Sequence, residues 1–266
     1  MADLLTHTIM QGGIQPGAKP ERVIIMLHGI GQNPSYMEEA AKACSDRMPN
    51  TLVIMAEAPL KMNYSPEKTA RIREKFDPNF DPDKARSWFR TETTQWPELM
   101  LRVAFNKVQV VHDINKLADH YRDKYGLQDK DLAFFGMSQG AAISLYAVTA
   151  RKEPVAAVVS HTGMFFGFSR TKSKPDVLMI TGDKDEYLCD NKSKMKGFFV
   201  RPENSLRRLK RRKLPVTEIH LAELAHEMTT ESIAVAANYL ANAFKVQAPA
   251  NDVTVKETPT PKALAM

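Results

Sequence analysis

Cysteine and long apolar runs are scarce in this sequence of 266 residues. The two cysteines, Cys44 and Cys189, are too few for a disulfide framework, and neither is paired with histidine at the spacing of a metal site. We therefore predict two free thiols in a reducing compartment and no bound metal. No stretch approaches the roughly 20 apolar residues of a membrane span, and residues 1–10 lack the basic start and apolar run of a signal peptide. These absences predict a cytoplasmic protein with no integral membrane association.

The overall composition is that of an ordinary globular protein. Apolar residues make up 43% of the chain and charged residues 26%, which excludes general disorder, collagen-like repeats and a coiled coil. We see no internal repeat. We expect one domain over residues 1–246, because one α/β core can use a chain of this length. Residues 247–266 carry three prolines and little apolar periodicity, and we predict a disordered tail there.

Positive charge is in modest excess and partly clustered. The 37 Lys and Arg residues outnumber the 31 Asp and Glu residues, which gives a formal charge of +6. The basic run at 207–213 could attract phosphates, anionic lipid headgroups or acidic proteins, but a solvated helix face is the favoured interpretation. The run lacks interleaved aromatics or a recognition motif, so we do not expect nucleic-acid binding.

Short apolar runs alternate with segments of helical periodicity, which is typical of strands and crossover helices. The runs lack strict alternation, so we expect a doubly wound, mostly parallel sheet of the α/β class, with helices on both faces and ligands at the carboxyl ends of the strands. The predicted strands are Arg22–Leu27, Thr51–Ala56, Leu132–Gly136, Val155–Ser160, Val177–Thr181 and Val216–Leu221. The predicted helices are Tyr36–Arg47, Pro97–Lys124, Gln139–Arg151, Glu203–Arg212 and Glu227–Ala243. Two polar stretches interrupt the pattern, and we predict a loop or cap at 61–95 and a second insertion at 189–202.

The stretch Gly136-Met137-Ser138-Gln139-Gly140 has the pattern of a nucleophile elbow. Such a turn holds its serine above the sheet at a helix N-terminus, and the flanking glycines let the backbone pass closely. The motif alone is common by chance. Here a predicted strand precedes it and a predicted helix follows it, which favours a nucleophilic role for Ser138.

A serine nucleophile needs a base and a carboxylate that orients the base. Asp183 and Asp185 follow one predicted strand, and His226 follows the next, so both lie at the carboxyl edge in the order that this chemistry requires. His161 ends its own strand, and His220 lies inside a strand, where we expect it to pack. Singly, His226 could cap a helix and the aspartates could be turn residues. Their joint order favours a catalytic site.

An acyl-transfer site also needs two donors for the oxygen that becomes negatively charged. The loop His28-Gly29-Ile30-Gly31-Gln32 follows the first predicted strand at the same sheet edge. We assign the backbone N–H groups of Ile30 and Gln139 as the oxyanion hole. Without Ser138, the two glycines of this loop would indicate a tight turn and no more.

These motifs resemble the phospholipase/carboxylesterase family of α/β-hydrolases, which includes acyl-protein thioesterases. The resemblance runs from about residue 23 to residue 240 and implies an α/β-hydrolase fold that cleaves carboxylic esters or thioesters without a cofactor. It implies Ser138, Asp185 and His226 as the triad, since the family pattern Gly-x-x-Asp places the acid at Asp185 rather than Asp183. Trp88 and Phe89 resemble a family motif near the substrate.

The chain departs from the family where substrate contacts are expected. Arg90 stands where the family has Asp after Trp-Phe, and Glu186 and the residues after it replace a Val-Pro pair. Acyl specificity is therefore open, although the polar insertions favour small to medium acyl chains. The competing hypothesis is a non-catalytic α/β-hydrolase-fold protein that binds a ligand or partner. A homodimer is compatible with the sequence, and a small ester or thioester is the expected partner.

Overall fold

The computed structural model describes residues 4–75, 77–89, 96–166, 170–186 and 201–246. Cys189, Arg90 and the predicted tail at 247–266 lie outside these residues. The strands are β1 (His7–Gly12), β2 (Arg22–Leu27), β3 (Thr51–Ala56), β4 (Leu60–Lys61), β5 (Arg86–Ser87), β6 (Leu132–Met137), β7 (Ala157–His161), β8 (Asp176–Gly182) and β9 (Val216–Leu221). The α-helices are α1 (Glu38–Arg47), α2 (Pro66–Lys75), α3 (Trp96–Tyr125), α4 (Gln139–Ala150), α5 (Pro202–Arg211) and α6 (Thr230–Ala243).

Among the described residues, seven strands form the central sheet in the order β1-β3-β2-β6-β7-β8-β9. β1 pairs antiparallel with β3, and the other neighbouring pairs of this sheet are parallel. The carboxyl ends of the parallel strands therefore share one edge. This arrangement confirms the predicted α/β-hydrolase fold with a doubly wound, mostly parallel sheet.

Helices cover both faces of the sheet, and each face has its own apolar core. Successive residues of β2 belong alternately to the two cores. Val23 belongs to a cluster that includes Ile114 of α3 and Ile143 of α4. Ile24 belongs to a second cluster on the other face, together with α1 and with Ile233 of α6. Because successive strand side chains point to opposite faces, one continuous apolar run supplies both cores.

The predicted strands are all present, but the sheet has an additional strand at one edge and an exposed strand at the other. β1 was not predicted. β9 was expected to be covered on both faces and is instead largely half-buried or exposed, because it is the opposite edge strand. In the polar stretch 61–95, the described residues form α2 and pair β4 with β5.

The basic run lies on α5 and just beyond its end, as expected from the sequence. Arg207, Lys210 and Arg211 are exposed, whereas Leu209 is buried. Arg208 is half-buried, and its guanidinium donates to the carbonyl of Phe165 at 3.2 Å. The run is therefore only partly a solvated helix face.

The remaining sequence predictions concern thiols, metals and membranes. Cys44 is fully buried, and burial raises the pKa of its thiol to about 12, so this thiol is inert at neutral pH. Within the described ranges, no cluster of three or more His, Cys, Asp or Glu side chains is arranged to hold a metal ion. No helix in this part of the chain combines the length and apolarity needed to cross a bilayer.

Candidate active site

Ser138 lies in a sharp turn between β6 and α4. Its backbone has φ of 53° and ψ of −114°, a left-handed region that few non-glycine residues adopt. A Cβ at Gly136 would lie 2.4 Å from the carbonyl oxygen of Gly140, and a Cβ at Gly140 would lie 2.2 Å from that of Leu27. Both glycines are therefore required by close backbone packing, as the elbow motif predicts.

A continuous hydrogen-bonded chain joins Ser138, His226 and Asp185. His226 Nε2 lies 2.8 Å from Ser138 Oγ, and His226 Nδ1 lies 2.8 Å from Asp185 Oδ2. Asp185 is fully buried, whereas the side chain of His226 is 18% exposed. The structure thus brings together the three residues that the sequence singled out, in the geometry of a nucleophile, a base and an orienting carboxylate.

Close packing of two loops positions the base against the acid. Gly182 ends β8, and a Cβ at this position would lie 2.1 Å from the carbonyl oxygen of Leu224, in the loop before His226. The N–H of Lys184 donates to the same carbonyl at 3.2 Å. The loop after β8 and the loop after β9 are therefore packed against each other, and this packing fixes the distance between Asp185 and His226.

The neighbouring carboxylate, Asp183, points to a different partner. Its Oδ1 lies 2.8 Å from Nε2 of His220, and both side chains are exposed. His220 Nδ1 lies 3.0 Å from Thr181 Oγ1. The expectation that His220 packs inside the sheet is wrong, because β9 is an edge strand and this side chain faces solvent.

His161 is a buried histidine beside the triad. It is fully buried at the end of β7, and its Nε2 lies 2.8 Å from Oγ of Ser232, which belongs to the capping box of α6. Burial, with the nearby His226, lowers the pKa of His161 to about 3, so the ring is neutral near pH 7. Its carbonyl accepts the N–H of Ser138 at 2.9 Å. The sequence showed its place at a strand end but not these contacts.

The loop 28–32 reaches the nucleophile from the end of β2. A Cβ at Gly29 would lie 3.5 Å from Cβ of Ser138, so the two backbones are adjacent. The N–H of Ala58 donates to His28 Nε2 at 3.1 Å, which leaves the ring proton on Nδ1, 2.8 Å from the carbonyl oxygen of Gly29. Burial lowers the pKa of His28 to about 4 and keeps this ring neutral. These bonds hold the loop 28–32 with Gly29 beside the elbow.

Trp88 and Phe89, which were predicted to contact substrate, are both buried. Trp88 is fully buried, and its indole N–H donates to the carbonyl of His28 at 2.8 Å. The side chain of Gln139 lies against the same segment and accepts the backbone N–H of Trp88 at 2.8 Å. The structure thus places Trp88 beneath the loop 28–32, and substrate contact by this pair stays a prediction.

The arrangement as a whole fits acyl transfer. Ser138 is the N-cap of α4 and makes no side-chain capping bond, so its oxygen is available to His226. Gln139 is the first residue of this helix, and its N–H has no acceptor within the helix. Ile30, on the facing loop, is 38% exposed. Ser138, His226, Asp185 and the loop that carries Ile30 therefore lie together at the carboxyl edge of the sheet.

This chain is similar in sequence to a known protein family and to one hydrolase, and it is similar in fold to solved esterase structures. The model of the phospholipase/carboxylesterase family matches residues 13–189. An uncharacterized hydrolase of Mycosarcoma maydis is 25% identical over 147 residues, which are 54% of this chain and 49% of that protein. The chain thus spans about half the length of this relative.

Two solved structures illustrate the similarity of the fold. A carboxylesterase of Bacillus cereus superposes with a TM-score of 0.64 at 15% identity, over 91% of this chain and 96% of that one. SOBER1 of Arabidopsis thaliana superposes with a TM-score of 0.61 at 16% identity, over 84% of this chain and 98% of that one. The family match covers more than half of the 266 residues. The chain belongs to the phospholipase/carboxylesterase family of hydrolases.

Proposed function

We propose that this protein is a serine hydrolase that cleaves carboxylic esters or thioesters through an acyl-enzyme intermediate. The observation that carries the proposal is the chain of two 2.8 Å contacts from Ser138 Oγ through His226 to Asp185. A serine hydroxyl is a weak nucleophile near neutral pH, and in this proposal His226 is the base that activates Ser138. The family membership supports the same class of reaction.

In the proposed reaction, Ser138 Oγ attacks the carbonyl carbon of the substrate while its proton moves to His226 Nε2. Asp185 accepts the Nδ1–H of His226 and stabilises the imidazolium that forms. The backbone N–H groups of Ile30 and Gln139 donate to the negatively charged oxygen of the tetrahedral intermediate. His226 then protonates the departing alcohol or thiol, and water releases the acyl group by the same steps in reverse.

Esters and thioesters pass through the same tetrahedral geometry, so both remain in the proposed substrate class. Small to medium acyl chains are favoured because the part of 61–95 that the structure describes is largely polar and exposed. A long chain would need an extended apolar groove to bury it. Values of kcat/KM on nitrophenyl esters should accordingly peak below palmitate, and a steady rise to palmitate would contradict this preference.

The proposal is tested by labelling with a fluorophosphonate followed by peptide mass spectrometry. An activated nucleophile predicts covalent modification at Ser138, and the folded Ser138→Ala variant should be unlabelled. The same variant should lose on the order of 10³-fold or more in kcat on p-nitrophenyl acetate. A wild-type protein that is neither labelled nor active would instead favour the non-catalytic binding protein. A folded Ser138→Ala variant with near wild-type turnover would overturn the proposed mechanism.

A further inference from the structure

The side chain of Gln139 is a buried amide that joins the start of α4 to residues 87–89, at the end of β5 and just after it. Its Oε1 accepts the backbone N–H of Trp88 at 2.8 Å, and its Nε2 donates to the carbonyl of Phe89 at 3.3 Å and to Ser87 Oγ at 3.2 Å. The residue as a whole is 7% exposed. Leaving a buried amide or its partners unpaired is costly, so these bonds hold residues 87–89 firmly against the start of α4.

The same segment holds the loop that carries Ile30. The N–H of Gly31 donates to the carbonyl of Arg86 at 2.8 Å, and the N–H of Arg86 donates to the carbonyl of Gln32 at 3.0 Å. On the buried side, the indole N–H of Trp88 donates to the carbonyl of His28 at 2.8 Å. Bonds from β5 and Trp88 thus hold the loop 28–32 on both sides of Ile30.

These contacts form a short bridge between the two proposed oxyanion donors. One donor is the backbone N–H of Gln139, and the amide of that residue's own side chain binds Trp88. Trp88 in turn binds His28, two residues before the other donor, Ile30. The donors lie on different elements, so a link of this kind is needed to keep both aimed at one oxygen.

We propose that the side-chain amide of Gln139 and the indole of Trp88 are positioning residues, which set the distance between the N–H groups of Gln139 and Ile30. This inference rests on the proposed acyl-transfer function. Oxyanion donors act only when they lie at hydrogen-bond distance from the developing charge, so a small displacement of one donor slows the reaction. A positioning role for the indole also explains why Trp88 is fully buried beneath the loop 28–32.

Two variants break the bridge at different points and keep both backbone N–H groups. Gln139→Met removes the amide and keeps the length of the side chain, and Trp88→Phe removes the indole N–H and keeps an aromatic ring. For each folded variant we expect kcat on p-nitrophenyl acetate to fall about 10- to 100-fold, with KM changed less than about threefold. Affinity for a trifluoromethyl ketone, which adds to the serine and forms an oxyanion, should fall in parallel with kcat.

Asn115→Leu is the matched control, because it removes another hydrogen-bonded amide, one that binds α4 about two turns after Gln139. Asn115 Nδ2 donates to the carbonyl of Ala147 at 3.0 Å, and its Oδ1 accepts from Arg151 at 2.9 Å. This variant should lower the melting temperature and leave kcat and ketone affinity within about twofold. A merely structural role for the bridge predicts instead that all three variants behave alike at equal loss of stability.

The outcomes separate this inference from the function on which it rests. A wild-type protein that neither reacts with the fluorophosphonate nor hydrolyses the ester overturns the proposed function, and the inference with it. A labelled and active wild type whose Gln139→Met and Trp88→Phe variants keep kcat and ketone affinity within about twofold overturns the inference alone. Should Gln139→Met fail to fold, Trp88→Phe decides the question by itself.

Discussion

At the scale of the single residue, Ser138 has a strained backbone conformation and a hydroxyl placed to react. Its φ of 53° is unfavourable for a residue with a Cβ, and conformations of this kind typically cost about 1–3 kcal/mol. The surrounding close contacts of Gly136 and Gly140 hold the turn in this state. In this conformation the Ser138 hydroxyl makes no capping bond to α4 and lies 2.8 Å from His226 Nε2. Part of the folding free energy therefore offsets the strain that this position requires.

This strain predicts a difference between two variants that both lack Oγ. Ser138→Gly should be more stable than Ser138→Ala by about 1 kcal/mol, since glycine adopts positive φ freely and part of this gain is offset by the greater entropy of unfolded glycine. Urea unfolding of both variants, each equally inactive, measures the difference directly. Equal stability, or a more stable alanine variant, would show that the elbow stores little strain.

The two neighbouring aspartates should differ sharply in their effect on turnover. Asp185→Asn removes the buried carboxylate that accepts from His226 and should reduce kcat on the order of 10⁴-fold. Asp183→Asn alters only the exposed pair with His220, so kcat should stay within a few-fold and stability within about 1 kcal/mol. Both variants are assayed on one activated ester after circular dichroism confirms folding. If Asp183→Asn is the more damaging, the choice of acid is wrong, and the test leaves the mechanism itself unchanged.

Local motifs predicted the residues now placed in one site, but not the contacts that support them. Ser138 and His226 were singled out because each stands at a strand end in the required order, a pattern visible along the chain. The bond between Gln139 and Trp88 joins residues 51 positions apart and has no periodic signature. The burial of His161 against the triad likewise depends on how α6 packs on the sheet.

At the scale of the element, the buried apolar runs of β2 and β3 were predicted with the right bounds, and so was the half-exposed edge strand β9. The bounds of β2 and β3 agree with the sequence because nearly all of their residues are buried and polar residues flank them. β1 was missed because an edge strand buries little and needs no strong apolar pattern. α2 was missed for a similar reason, since Thr69 is its one buried residue and no apolar face marks the helix.

The helix α5 allows a test of its basic surface. Changing Arg207, Lys210 and Arg211 together to Gln should leave kcat/KM on a neutral ester within a few-fold, because all three side chains are exposed. Arg208→Gln should cost more stability, about 1 kcal/mol, because it loses the bond to the carbonyl of Phe165. A hundredfold loss of kcat/KM in the triple variant would show that the exposed face shapes the site.

At the scale of the whole molecule, two buried neutral histidines couple stability to pH. His28 anchors the loop 28–32 and His161 lies between β7 and α6, and burial lowers the pKa of each below the usual 6.5, to about 4 and about 3. Unfolding restores the usual pKa, so the unfolded chain binds more protons than the folded one once the pH falls below about 6.5. The two histidines therefore favour folding above this pH and progressively favour unfolding as the pH falls toward their folded values.

The contribution of His161 can be isolated with His161→Gln, which does not titrate and keeps a donor for Ser232. Between pH 7 and pH 5 the wild-type free energy of unfolding should decline by about 2 kcal/mol more than that of the variant, because only the wild type gains a proton at residue 161 on unfolding. Urea unfolding at half-unit steps over this range measures both curves, and most carboxylates titrate below it. Parallel curves would mean that His161 takes up no extra proton on unfolding, whereas a steeper decline in the variant would reverse the sign of the argument.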